Sequence, residues 1–298
     1  MFSFYKYRWS YIAGSIAVIL LGLVLYFVNG FNVDIDFAGG SSIIIDINQT
    51  VDKEEIKAVA TESLGFEPSA VQPTLEKPTE YTIKTSTLTP DQSKKLIQDF
   101  KTKFNLGEDY NKFSIDTFTP AYGKQLTSEA IWSMIIALFL IMIYVSVRFE
   151  FLSGIGAALS LLHDILVMVA IYIIFRIPIN SSFVAAILTV LGYSINDTVV
   201  IFDRIRENLK SARKESFNEI TDRSIWETMT RSINTVLTTL ITISILYILG
   251  VKSIKEFAFP LIIGIASGAY SSIFIASPVW AMLRNAGIES RKKQFKKA

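Results

Sequence analysis

Polar and apolar positions change their period along this chain. Long apolar runs occupy about 11–30, 130–148, 153–175, 183–202, 233–250 and 257–283. A membrane span needs about 20 mainly apolar residues, so these windows predict six transmembrane helices. Lys6 and Arg8 precede the first run, as they would in a signal peptide. That run is long, and no small-x-small pattern follows Phe27, so it reads as an uncleaved span. Between the first two runs the pattern shortens. Ser41–Ile47 reads as a strand. Asp52–Leu64 reads as a helix, with Asp52 as N-cap and Glu55 at capping-box spacing. Ala70–Leu75 and Tyr81–Thr85 read as strands around a turn region at Pro73–Pro78. Pro90–Asn105 reads as a second helix, with Thr89 as N-cap and proline at its first position. Phe113–Phe118 reads as the last strand. The order β-α-β-β-α-β is that of the ferredoxin-like split βαβ.

The predicted fold is a polytopic α-helical membrane protein of six transmembrane helices, with an α+β ferredoxin-like domain between the first and second. The expected divisions are 1–30 (N-terminus and first helix), 31–128 (inserted domain), 129–283 (five-helix bundle with loop 203–232) and 284–298 (basic tail).

Composition supports the division. The chain is 51% hydrophobic and 19% charged, against about 25% charged in an ordinary soluble domain. Residues 31–128 hold 15 acidic and 10 basic side chains, whereas the remainder holds 12 and 19. This excludes a soluble globular enzyme, a disordered chain and a small disulfide scaffold. With no cysteine, structural disulfides, thiol redox chemistry and Cys-ligated zinc are excluded as well.

The segments 1–10, 148–152, 203–232 and 284–298 carry 16 of the 29 Lys and Arg, while the short loops opposite carry three, Arg176, Lys252 and Lys255. The positive-inside rule then places both termini in the cytoplasm and 31–128 outside it. The tail Arg291-Lys292-Lys293 with Lys296-Lys297 fits a stop-transfer flank or an inner-leaflet anchor.

Three ionisable residues fall where lipid is expected. Asp164 lies near the middle of the third span. Asp197 lies in the fourth span, about 9 Å from its cytoplasmic end by helical rise. Arg231 opens the fifth span. The fourth and fifth spans run in opposite directions, so Asp197 and Arg231 occupy the same half of the bilayer. A charge at the bilayer centre costs at least about 2.5 kcal/mol, so a carboxylate there is either permanently bonded for packing or free to change protonation as access changes. For Asp197 the second role is expected. For Asp164 both stay open. His163 reads as a packing or hydrogen-bonding residue. Gly264 and Gly268 form a GxxxG step for close helix approach. Thr238, Thr239, Thr242 and Ser244 line a wet path or bond across helices.

The chain has no P-loop, HExxH or GxSxG pattern. The inserted domain holds no histidine, no nucleophile–base pair and no metal-ligand cluster. No catalytic residue, cofactor or metal is expected. Any work done must draw on an ion gradient or a partner.

One span, a large outer domain and five more spans resemble half of the twelve-span plan of the resistance-nodulation-division (RND) superfamily. A closer resemblance is to the SecD/SecF protein-export family. Asp36-Phe37-Ala38-Gly39-Gly40 resembles its D-F-x-G-G signature, and Leu162-His163-Asp164 its L-H-D. The stretch from Gly192 through Ser194, Asn196, Asp197, Asp203, Arg204 and Glu207 resembles its fourth-span motif. Arg231 falls at the family's arginine before a Thr-rich span, with Ser232 in place of the usual threonine. The resemblance implies an accessory subunit of the Sec translocase, a plasma-membrane protein driven by the proton motive force. Asp197 and Arg231 stand at the family's transport-linked positions. The implied partners are SecD, the SecYEG translocon, YajC and the preprotein, with no nucleic acid. Gly39-Gly40 could serve as a hinge or as a tight turn. Half of a small-molecule or lipid exporter, and a non-transporting translocon scaffold, are the alternatives.

Overall fold

The computed structural model describes residues 3–74, 77–107, 110–212 and 214–295, with side chains as far as Ala286. The end of the strand expected to reach Leu75 and the basic side chains of the tail lie outside the described residues. Six helices are long and apolar enough to cross a membrane. They are α1 (Arg8–Asn29), α5 (Pro120–Arg148), α6 (Phe151–Ile174), α7 (Ser181–Ser211), α8 (Phe217–Leu249) and a last span made of α9 (Lys252–Ser271), a π-helical segment (Ser272–Ala276) and α10 (Ser277–Phe295).

The helices outrun the apolar windows. The segment 203–232, expected as a loop, is helical over 203–211 and 217–232, because α7 continues to Ser211 and α8 starts at Phe217. Hydropathy marks where lipid lies, not where hydrogen bonding stops. Charged residues carry both helices onward, held by Arg204 to Glu207 and Glu227 at 2.6 Å each. A capping box of Ser216 and Glu219 starts α8.

Between α1 and α5 lies a sheet of β1 (Gly40–Asp46), β2 (Ala70–Pro73), β3 (Glu80–Thr85) and β4 (Phe113–Phe118), in the order β2-β3-β1-β4. All neighbours are antiparallel, which is the split βαβ arrangement. Ile43 sits opposite Ile83 on one side and Ile115 on the other. Ile43, Ile45, Tyr81 and Ile83 are buried with Ile56 and Ala60 of α3 (Lys53–Leu64) and Leu96 and Phe100 of α4 (Pro90–Lys103). The period-2 pattern of β1 thus sends alternate isoleucines into one core. Thr89 and Gln92 form a full capping box on α4. Asp52 caps α3 through the Glu54 N–H instead, without the reciprocal bond from Glu55. At the end of β1, a hydrogen bond with the Thr79 side chain and another from the Asn48 N–H hold the Asp46 carboxyl below the usual carboxylate range.

A short helix, α2 (Ile35–Ala38), joins the first span to the sheet. The chain around it is stitched to the α6–α7 connection. Val33 bridges Ile179, and the backbone bonds Asp34 N–H to Ile179 O and Ile179 N–H to Asn32 O are 2.9 and 2.8 Å. The Lys84 ammonium of β3 reaches Asp34 at 2.5 Å. In the bundle, α6, α7 and α9 pack at the centre. Helices α1, α5 and α8 present exposed leucine, isoleucine, valine and phenylalanine side chains, as a lipid-facing surface would.

Candidate functional site

Asp164 is fully buried on α6. Its carboxylate accepts hydrogen bonds from Ser194 of α7 at 2.7 Å and from Ser267 and Ser271 of α9 at 2.7 and 2.8 Å. The His163 Nδ1 lies 3.1 Å away. Both oxygens therefore have hydroxyl partners, and the site ties three helices together. Close approach makes this possible. A Cβ on Gly268 would stand 2.8 Å from the Ser194 Cβ, and one on Gly264 would stand 2.4 Å from Val190. Only glycine lets α9 come this near α7. The polar layer continues through Thr198 and Ser272, whose hydroxyls are 2.9 Å apart. There the π-helical segment interrupts the last span. Such interruptions concentrate at functional sites.

Asp197 is one turn further along α7 and only 5% exposed. No hydrogen bond reaches its carboxylate among the described residues, and Arg231 of α8 is the cation whose field acts on it. Arg231 stands beyond ion-pair distance, exposed, and its guanidinium has no hydrogen-bonded partner among the described residues. The arrangement is a buried acid and an exposed cation on two antiparallel helices, the charge of the one acting on the other. A desolvated acid with no fixed partner can exchange a proton when water reaches it, and the nearby cation opposes that exchange.

The other motif residues spread over three places. Asp36 accepts from the Ser181 N–H and hydroxyl at 3.0 and 2.7 Å, fixing the start of α7. The backbone of Phe37 packs against Gly123, where a Cβ would stand 2.2 Å from the Phe37 carbonyl oxygen. Gly39 has φ +83°, and a Cβ on Gly40 would fall 2.6 Å from the Thr85 carbonyl oxygen, so the pair makes a crowded turn. Gly192 and Asn196 lie exposed on α7. Asp203 meets Arg148 at 3.4 Å and, with Arg204, forms the charged end of α7.

His163 keeps Nδ1 on Asp164, while its buried Nε2 has no hydrogen-bond partner among the described residues. The threonines of α8 bond mainly to their own helix: Thr238 to Asn234 O, Thr239 to Thr235 O and Thr242 to Thr238 O. Thr239 also meets the Tyr193 hydroxyl at 2.7 Å. The sequence places Ser194 in the fourth-span motif without a role of its own and does not single out Ser267, Ser271 or Ser272. The i,i+4 pair Ser267 and Ser271, beside the glycines of the same helix, was the signal present.

The family model for the C-terminal region of the protein export membrane proteins SecD/SecF matches residues 99–286. Protein translocase subunit SecF of Alicyclobacillus acidocaldarius is 36% identical over 305 residues, covering 98% of this chain and 95% of that one. Protein translocase subunit SecDF of Bacillus subtilis is 39% identical over 280 residues, covering 92% of this chain and 37% of that one. The crystal structure of SecDF from Thermus thermophilus, a translocon-associated membrane protein, superposes with a TM-score of 0.81 at 30% identity, covering 95% of this chain and 39% of that one. The chain thus spans nearly the whole of the SecF relative and about two fifths of the SecDF chains. These matches mean that the chain belongs to the SecD/SecF family of protein-export membrane proteins.

Proposed function

We propose that this chain is an accessory subunit of the Sec protein translocase, drawing on the proton motive force to promote late-stage export of preproteins across the plasma membrane. The observation that carries the reading is Asp197: buried in a spanning helix, without a hydrogen bond among the described residues, and acted on by the charge of Arg231. Gain of a proton there removes the attraction to Arg231 and allows α7 and α8 to rearrange. The start of α7 is bound to Asp36 and its approach to the Asn32–Asp34 stem, so movement of α7 is passed to the sheet domain.

In this reading both termini are cytoplasmic and residues 31–128 are extracytoplasmic, as the distribution of Lys and Arg favours. A SecD subunit of like architecture covers the polar face formed by Gly192, Asn196, Asn234 and Thr238, all of which are exposed here. The SecDF relatives support this, because the chain matches only part of each. SecYEG and YajC are the further partners, and the open face of the sheet is the surface offered to the emerging preprotein.

The test is export into vesicles with and without an imposed proton gradient. Asp197→Asn should export at the rate the wild-type protein shows without a gradient, and Asp197→Glu should restore part of the response. Full gradient stimulation of Asp197→Asn would sink the proposal.

A further inference from the structure

One face of the sheet packs on α3 and α4, and the other looks toward the ends of the spans. Between that second face and the first turns of α7 and α9 lies a slot of about 420 Å³. Its sheet wall is largely polar. Lys84, Ser42 and Asp116 form one row across β3, β1 and β4, and Thr82 stands opposite Ile44 in the next. The period of two puts all five on the face away from Ile43 and Ile83. The charges around the slot do not balance. Five carboxylates and two ammonium groups line it. Asp34 and Lys84 pair at 2.5 Å, which leaves four carboxylates against Lys252. Asp36 and Glu256 accept only from neutral donors, Ser181 and Asn180. The carboxylates of Glu80 and Asp116 have no hydrogen-bonded or ion-paired partner among the described residues. Thr82, which also lines the slot, is only 9% exposed, and its hydroxyl has no partner among the described residues either.

Carboxylates spread along a slot call for positive charges spread in the same way. No group of acids among the described residues could hold a metal ion, so the spacing does not suit a single compact cation. It suits an extended polypeptide carrying Lys or Arg. Those side chains reach separate carboxylates, and the backbone between them meets the Thr82 and Ser42 hydroxyls. None of the slot's residues is among those of α7 and α8 given above to a SecD subunit, and Asp116 and Ser253 of its lining are exposed. The inference rests on the translocase reading, in which the slot lies on the outer side where the exported chain emerges. Each positive side chain moves outward against a potential that is negative inside. Carboxylates on the outer side hold a cation that has crossed and oppose its return.

We propose that this slot binds cationic, extended segments of the exported polypeptide. The full chain, in nanodiscs of phosphatidylcholine that give a cationic peptide no anionic lipid to bind, is titrated with fluorescent glycine–serine peptides bearing lysines, glutamates or no charge. Binding is read by anisotropy. The lysine peptide should bind and the other two should not, and its affinity should fall as salt is raised. The double substitution Glu80→Gln with Asp116→Asn should weaken that binding about tenfold, as the loss of two partly exposed ion pairs does. Glu55→Gln with Glu62→Gln, on α3 behind the opposite face of the sheet, removes the same charge elsewhere and should leave binding unchanged. Equal binding of the glutamate peptide, displacement of the lysine peptide by equimolar magnesium, or equal loss in both double variants would each overturn the proposal. So would full binding by the Glu80→Gln, Asp116→Asn protein. The readout needs neither a gradient nor export, so its failure is distinct from a failure of the role given to Asp197.

Discussion

Asp164 and Asp197 lie on adjacent helices and are hidden almost equally, 0% and 5% exposed, yet their surroundings differ in kind. Three serine hydroxyls from two other helices end on Asp164. None ends on Asp197 among the described residues. A buried carboxylate whose lone pairs are filled is a fastener, since every donor it holds is also held in place. One whose lone pairs are unfilled keeps a cost that a proton, a cation or water can relieve. Burial alone does not distinguish these two acids; their partners do.

The comparison can be broken most directly by exchanging the consequences of losing each acid. Asp164→Ala strips three hydroxyls of their acceptor and opens a small cavity. Hydrogen bonds between membrane helices average about 0.6 kcal/mol and reach about 1.7, so this variant should lose about 2–4 kcal/mol. A lower melting temperature in detergent would show it. The protein that remains folded should still export in response to a gradient. Asp197→Asn should do the reverse, melting close to the wild-type temperature. An Asp164→Ala protein with normal melting and no gradient response would invert the assignment of the two acids.

A smaller effect tests the fit around the fastener. Gly268→Ala places a Cβ 2.8 Å from the Ser194 Cβ and 3.0 Å from its hydroxyl, pushing a donor off Asp164. Overpacking of this sort costs about 1–3 kcal/mol. Gly192→Ala on the facing helix meets nothing within 4 Å and should be neutral or slightly stabilising in the same melting experiment. Equal melting of the two variants would mean that α9 does not depend on close approach to α7.

The smallest effect concerns Asp46, outside the membrane. Its folded carboxyl titrates below the ordinary value because of the Thr79 hydrogen bond first, then the Asn48 N–H and nearby lysines, against a desolvation that acts the other way. A depressed folded value means stability present above the unfolded value, near about 3.9, and lost as pH falls through the folded one. Asp46→Asn should therefore lower stability at neutral pH and flatten its decline on acidification. Urea unfolding of the full chain at pH 7 and pH 3, followed by tyrosine fluorescence, measures it. An unchanged decline would remove Asp46 from the acid response.

Features that depend on period were legible in the sequence. The six spans, the order of strands and helices, and the Thr89 cap all follow from spacing along one element. The opposition of Asp197 and Arg231 followed from two antiparallel spans and a helical rise. What escaped depended on contacts between distant segments. The donors to Asp164 come from α9, a hundred residues away, and only the packing of Gly264 and Gly268 brings them in. The extension of α7 and α8 escaped because charges that mark the end of lipid also pair along and between helices, as Arg204 does with Glu207 and Glu227. The interruption at Ser272–Ala276 holds no proline or glycine itself; its signal is Pro278 two residues on, which has no N–H to offer the Phe274 carbonyl.

That interruption sets the phase of everything after it. An α-helix advances about 100° per residue, and a π turn takes in one residue more than an α turn. Trp280, which donates its indole N–H to Glu150 and packs 4.7 Å from the Phe202 ring, owes its facing to that extra residue. Were the segment ironed into a regular helix, α10 would be turned by about 100° and the indole aimed at another neighbour. The last span is therefore two cylinders keyed separately, one to Asp164 and one to Glu150. An inserted or deleted residue between Ser271 and Ser277 would be a frameshift in space, leaving the upper half in register and rotating the lower.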